Sequence, residues 1–249
     1  MACVWLQLHL LVALLISATV LPRLVVSSRS GLYYPGLVTE FPGYEPSKHP
    51  YAPSLKDTTY SDFIDIGGGK KFHFVFTKKL TPPTASQNVE SSNEKLALWL
   101  TGGPGSSSMM AFYTEMGPLS LNDDSLTNGN INGTIRPKFN NYTWNYLANI
   151  IYLESPVGVG FSRCEEQYCD DPDDYSVAND NYLFLQTWLE QFPKYKDMDF
   201  YLLGESYSGV YIPTLVSHIP SCRHNIFLVT FFRRQTGFLM ATNATRASK

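Results

Sequence analysis

Three short apolar runs stand out against a polar, glycine- and proline-rich background: Leu96-Ala97-Leu98-Trp99-Leu100, Ala148-Asn149-Ile150-Ile151-Tyr152-Leu153 and Phe200-Tyr201-Leu202-Leu203. Runs of this length bounded by turn residues are expected of strands buried on both faces, as in a parallel sheet. Upstream, Tyr60 to Ile66 and Phe72 to Phe76 alternate in polarity around Gly67-Gly68-Gly69, which predicts a hairpin. From Asp174 to Phe192, the residues Val177, Ala178, Tyr182, Leu185, Trp188 and Leu189 fall on one helical face, and Pro193 ends the pattern. Strands near 96, 149 and 200, with a helix before the third, predict an α/β fold: a mostly parallel sheet flanked by helices. Residues 29–58 read as an extended arm and 79–94 as a surface loop.

The chain has 249 residues, 44% of them hydrophobic and 16% charged, which suits one α/β domain with a large core. A net charge of -3, with no basic stripe before the tail, gives no ground for nucleic-acid binding. Met1 to Leu21 is apolar, centred on Leu10 to Ile16 and followed closely by polar residues. It is short for a membrane span and reads as a secretory signal peptide, assigned to residues 1–28, with cleavage after Thr19 or Ser28. No stable membrane anchor is then expected; a signal anchor is the alternative. Sequons at Asn132, Asn141 and Asn243 agree with the secretory route. Once Cys3 leaves, Cys164, Cys169 and Cys222 remain, an odd set whose pairing is open. No histidine lies close enough to them in sequence to suggest zinc, and no metal or cofactor is expected.

Gly204-Glu205-Ser206-Tyr207-Ser208-Gly209 joins the third run to Val210-Tyr211-Ile212-Pro213-Thr214-Leu215-Val216. A strand, a sharp turn and a helix, with serine at the turn between small residues, describe the nucleophile elbow of an α/β-hydrolase. The usual pattern is G-x-S-x-G; here Ser208 holds the last glycine position and Gly209 follows it. The alternative is an ordinary serine-containing turn. Thr101 to Ser108 follows the first run but lacks the lysine of a phosphate loop, so it reads as a glycine loop whose N–H groups face a reaction centre. Glu154 to Ser162 is another glycine-rich turn. His73 sits in an aromatic strand with nothing nearby in sequence to orient it, and reads as a cross-strand or surface histidine.

Together these motifs resemble the serine carboxypeptidase family of α/β-hydrolases. Trp99-Leu100-Thr101-Gly102-Gly103-Pro104-Gly105 is similar to its W-L-N-G-G-P-G loop, and Glu115-Met116-Gly117-Pro118 to its E-x-G-P. Asn141 to Asn145 resembles N-x-[ST]-W-N, Glu154 to Ser162 resembles [DE]-x-P-x-G-x-G-[FY]-S, and Phe192-Pro193 and the elbow complete the series in family order. The similarity covers residues 40 to 220. It implies that Ser206 attacks a scissile carbonyl and that the N–H groups of Gly103 and Tyr207 form the oxyanion hole. It implies that Trp99, Thr101, Gly102, Glu115 and Glu205 bind the free carboxylate of a peptide or protein C-terminus. Two carboxylates can hold a third only by sharing a proton, which implies acidic working conditions. Glycosylation at Asn132 and Asn141, and a vacuolar, lysosomal or extracellular destination, fit the same resemblance.

Departures from the family pattern bound the reading. Thr101 replaces an Asn, as in the acyltransferase branch of the family, and Ser106 replaces a Cys. The mechanism needs an acid and a base in the order Ser, Asp, His. After Ser206 the sequence has no Asp or Glu, and its histidines are His218, on the helix leaving the elbow, and His224. Residues 221–249 are basic, without acidic residues, and do not resemble the family's second half. The expectation is a C-terminally truncated α/β-hydrolase domain over 29–220 with a divergent tail. Its functional readings are a serine-type carboxypeptidase, a non-catalytic homologue, or an acyltransferase.

Overall fold

Glycines at 67, 68 and 69, with φ of 83°, 58° and 68°, let the chain reverse between β1 (Thr59–Gly67) and β2 (Lys70–Thr77), which pair antiparallel. The computed structural model describes residues 36–45, 55, 57–82, 94–123, 125, 135–165 and 172–219, and the backbone of 226–231. The signal segment, Asn132, Asn243, Cys169, Cys222, His224, most of the arm and most of the 79–94 loop lie outside the described residues.

The three apolar runs form β3 (Lys95–Leu100), β6 (Asn149–Leu153) and β8 (Asp199–Glu205). Two-residue strands, β4 (Leu119–Ser120), β5 (Lys138–Phe139) and β7 (Arg163–Cys164), lie between them; β4 and β5 pair as a separate ribbon. β9 (Ile226–Phe231) completes the main sheet, in the order β1-β2-β6-β3-β8-β9, with β7 beside β2. From β6 across to β9 the neighbours are parallel; β2 joins β6 antiparallel. β9 pairs with β8 from Phe200 to Glu205, so the elbow strand is an interior strand rather than an exposed apolar edge.

Strand periodicity splits the core in two. Leu96, Leu98, Leu100, Ile151, Leu153, Phe200, Leu202, Phe72, Phe74 and Phe76 face one side. Ala97, Trp99, Ile150, Tyr152 and Val75 face the other, against Phe112, Met116 and Leu119. The first side is covered by α1 (Asp174–Gln191) and α2 (Ser208–His218). A capping box between Asp173 and Ser176 starts α1. Phe184 joins the predicted apolar face, and Tyr182 lies at its half-buried margin. Trp188 is the centre of that face: its ring stacks on Phe192 at 4.5 Å and meets Phe76 edge-on at 5.1 Å. Lys70 reaches Asp180 of α1 at 2.7 Å, tying the hairpin to the helix.

Among the described residues no helix is long and apolar enough to cross a membrane. Cys164 is disulfide-bonded, and its partner lies outside the described residues.

Candidate active site

β8 ends at Glu205, α2 begins at Ser208, and Ser206 makes the turn between them with φ of 54°. That is the left-handed region, uncommon for a residue with a side chain and costing about 1–2 kcal/mol. The turn leaves Ser206 exposed at the C-terminal edge of the parallel strands, at the start of a helix whose free N–H groups favour negative charge. Gly209 N donates to Ser206 O at 3.0 Å, and Val210 N to Tyr207 O at 2.9 Å, so the helical ladder starts at the serine.

The glycine loop lies against this turn because β3 and β8 are parallel neighbours, with Leu100 opposite Gly204. A Cβ at position 102 would stand 2.5 Å from Tyr207 N, 2.6 Å from Glu205 O and 2.9 Å from Ser206 Cβ, so only glycine permits this approach. Gly102 is thus the residue in contact with the elbow, and Gly103, with φ of 112°, follows it at the exposed crest of the loop. The loop is fixed at several points. Ser106 N donates to Gly102 O at 3.0 Å, Gly105 N to the Tyr211 hydroxyl at 3.3 Å, and Thr101 N to Ser108 Oγ at 3.2 Å.

Trp99 is buried and donates its indole N–H to Thr101 Oγ1 at 2.8 Å. Thr101 is also buried, and its hydroxyl proton remains to donate elsewhere. Trp144 meets the Trp99 ring edge-on at 5.9 Å. Around them, the 141–145 motif holds the 115–118 motif in place. Trp144 N and Thr143 Oγ1 both donate to Met116 O, at 2.9 and 3.0 Å, and Asn140 Nδ2 donates to Glu115 O and Gly117 O, each at 2.9 Å. Glu115 is exposed and Glu205 half-buried; Tyr207 donates its hydroxyl to Asp174 Oδ1 at 3.2 Å. Asn141 is exposed in a turn, although the Thr143 of its sequon is buried.

The histidines correct one expectation and leave another in place. His73 is a cross-strand residue, opposite Phe63 of β1, but neither a surface residue nor unoriented: it is 6% exposed, and its Nδ1 lies 2.8 Å from Glu154 Oε2. The signal was missed because the two residues are 81 positions apart. His218 closes α2, with Nδ1 2.9 Å from Thr214 O, and a helix rising about 1.5 Å per residue carries it far from Ser206.

Comparison with known proteins places this arrangement. The family model described as serine carboxypeptidase matches residues 48–228, through the glycine loop and the elbow and into β9. Lysosomal protective protein of Mus musculus is 41% identical over 160 residues, covering 63% of this chain and 29% of that protein. Serine carboxypeptidase-like 20 of Arabidopsis thaliana is 37% identical over 188 residues, covering 74% of this chain and 33% of that protein. The chain spans about a third of the length of the curated relatives it matches. Among solved structures, Kex1Δp, a prohormone-processing carboxypeptidase from Saccharomyces cerevisiae, superposes with a TM-score of 0.55 at 20% identity. The alignment covers 70% of this chain and 38% of that one, and it shows a shared α/β-hydrolase fold. With the elbow at 206, the glycine loop at 102 and a match over most of its length, the chain belongs to the serine carboxypeptidase family.

Proposed function

We propose that the Ser206 site is built for hydrolytic release of C-terminal amino acids from peptides. The observation that carries this reading is the left-handed, exposed Ser206 with Gly102 packed against it. In this reading Ser206 is the nucleophile, and the N–H groups of Gly103 and Tyr207 stabilise the oxyanion. Thr101, oriented by Trp99, donates to the substrate carboxylate beside Gly102, Glu115 and Glu205. The carbonyl oxygen then becomes negative beside the N-terminus of α2, where that charge is favoured. The mature chain follows the secretory route to the cell exterior, vacuole or lysosome, glycosylated at Asn141 and Asn132.

A second reading is favoured by one observation. Residues 207–249 contain no Asp or Glu, and His218 is held at the far end of α2. A serine hydroxyl without a general base is a weak nucleophile, and in this reading the described residues around Ser206 bind a C-terminus without turning it over. The discriminating assay is release of a C-terminal amino acid from a blocked dipeptide at acidic pH by residues 29–249, compared with Ser206→Ala. Release well above the variant supports hydrolysis by this chain, whereas equal release supports the non-catalytic reading. Acyl transfer, which Thr101 suggests, would appear as a new ester when a small alcohol is added.

A further inference from the structure

A second serine has hydrogen-bond surroundings that, among the described residues, Ser206 does not have. Ser61 on β1 faces His73 on β2, with Oγ 2.9 Å from Nε2. His73 Nδ1 lies 2.8 Å from Glu154 Oε2, immediately after β6. Glu154 is 1% exposed. Its Oε2 also accepts from Phe161 N at 2.7 Å, and its Oε1 accepts from Ser107 Oγ. Burial pushes its carboxyl up, but the bonds from His73, Ser107 and Phe161 outweigh burial and hold it below the usual carboxylate range. An ionised carboxylate only accepts, so the Nδ1 proton points to Glu154, and in the neutral imidazole Nε2 is then the acceptor that faces the Ser61 hydroxyl. The imidazole is fixed further by Phe63 and Phe161, whose exposed rings lie 5.2 and 5.3 Å from it. The backbone on either side is locked as well: His73 N donates to Ser162 Oγ at 2.8 Å and Glu154 N to His73 O at 3.2 Å.

A nucleophile within reach of a base, with that base oriented by a third group, is the geometry that activates a serine. We propose that Ser61 is a second nucleophilic site, independent of Ser206, that takes acyl groups from activated esters carrying an apolar or aromatic portion. Phe63 and Phe161 form the apolar seat, and Arg163, its guanidinium 5.0 Å from the Phe63 ring centre, supplies positive charge on the same side. In the step, Ser61 Oγ bonds to the carbonyl carbon while its proton passes to His73 Nε2. The bond to the leaving alcohol breaks, the alcohol departs with the bonding pair and takes the proton from Nε2, and Ser61 is left as an ester. Ser61 N already donates to Gly36 O at 2.7 Å, so the serine's own N–H does not serve the developing oxyanion. The site is therefore restricted to good leaving groups, and the acyl group stays on Ser61.

The test uses the full chain carrying Ser206→Ala, incubated with p-nitrophenyl acetate and mapped by peptide mass spectrometry over time. Ser61 acetylation is expected to outpace that of Ser176, whose hydroxyl is bonded to the Asp173 carbonyl and has no base, by at least about 100-fold, the lower end of what a general base contributes. Ser61→Ala abolishes that adduct, and folded His73→Gln slows it by a similar factor. Because Ser61 and Ser176 are compared within one chain, the result stands even where His73→Gln fails to fold. Acetylation of Ser61 no faster than Ser176, or unchanged in folded His73→Gln, overturns the proposal.

Discussion

Gly102 lies directly against Ser206: a Cβ at position 102 would come within 2.9 Å of the Ser206 Cβ and 2.5 Å of the Tyr207 nitrogen. Both neighbours sit on backbone that cannot turn aside, so Gly102→Ala must push the glycine loop and the elbow apart. Overpacking of this kind costs about 1–3 kcal/mol. A lowered urea midpoint with an unchanged slope is the expected result, and an unchanged midpoint would mean that the two loops are not in contact.

Ser206 itself stores strain at φ of 54°. Glycine adopts that conformation freely but loses more entropy on folding, and alanine gains nothing. Ser206→Gly should therefore be more stable than Ser206→Ala by about 0.5–1 kcal/mol. The check is thermal or urea unfolding of the two variants side by side; equal stability would argue against a left-handed elbow.

The Glu154 carboxyl makes stability depend on acidity. Its folded value lies below the ordinary 4.5 because the bonds from His73, Ser107 and Phe161 exceed the effect of burial. A depressed carboxyl contributes stability that is fully present above its unfolded value and is lost as pH falls through the folded one. Glu154→Gln should thus lower stability at neutral pH by about 1–3 kcal/mol and flatten the acid limb below 4.5. Denaturant midpoints at several pH values measure both, and parallel acid limbs in the two proteins would contradict the assignment.

Much of this was legible along the chain. Leu96 to Leu100 and Asn149 to Leu153 are buried on both faces, and such strands leave continuous apolar runs; Phe200 to Leu203 is buried on one face and half-buried on the other. The elbow and the glycine loop were legible because close backbone approach at Gly102 and Gly204 leaves no room for a Cβ. The Ser61–His73–Glu154 chain was not, since side-chain partners on three different strands and loops leave no periodic trace. β4, β5 and β7 have two residues each, too few for any alternation to register. Ile226 to Phe231 is mostly apolar, but its parallel register beside β8 depends on tertiary pairing.

The Trp188 ring anchors α1 to the sheet through Phe74, Phe76, Phe192 and Tyr195. Trp188→Ala should cost about 3–5 kcal/mol. Trp188→Phe should cost much less, because the ring contacts remain and the buried indole N–H has no hydrogen-bond partner among the described residues. Calorimetric midpoints of the two variants would separate these outcomes, and equal losses would mean that ring packing is not what Trp188 provides.

The most direct test of the Ser206 site is binding, because binding needs no general base. Residues 29–249 carrying Ser206→Ala are titrated calorimetrically at acidic pH with a blocked dipeptide bearing a free C-terminus, and with its C-terminal amide. Hydrogen bonds to a charged group contribute about 1.5–3 kcal/mol, so the free acid should bind at least about tenfold more tightly than the amide, and Gly102→Ala should remove the difference. Equal affinity for acid and amide would contradict a site built around Ser206 for a peptide C-terminus.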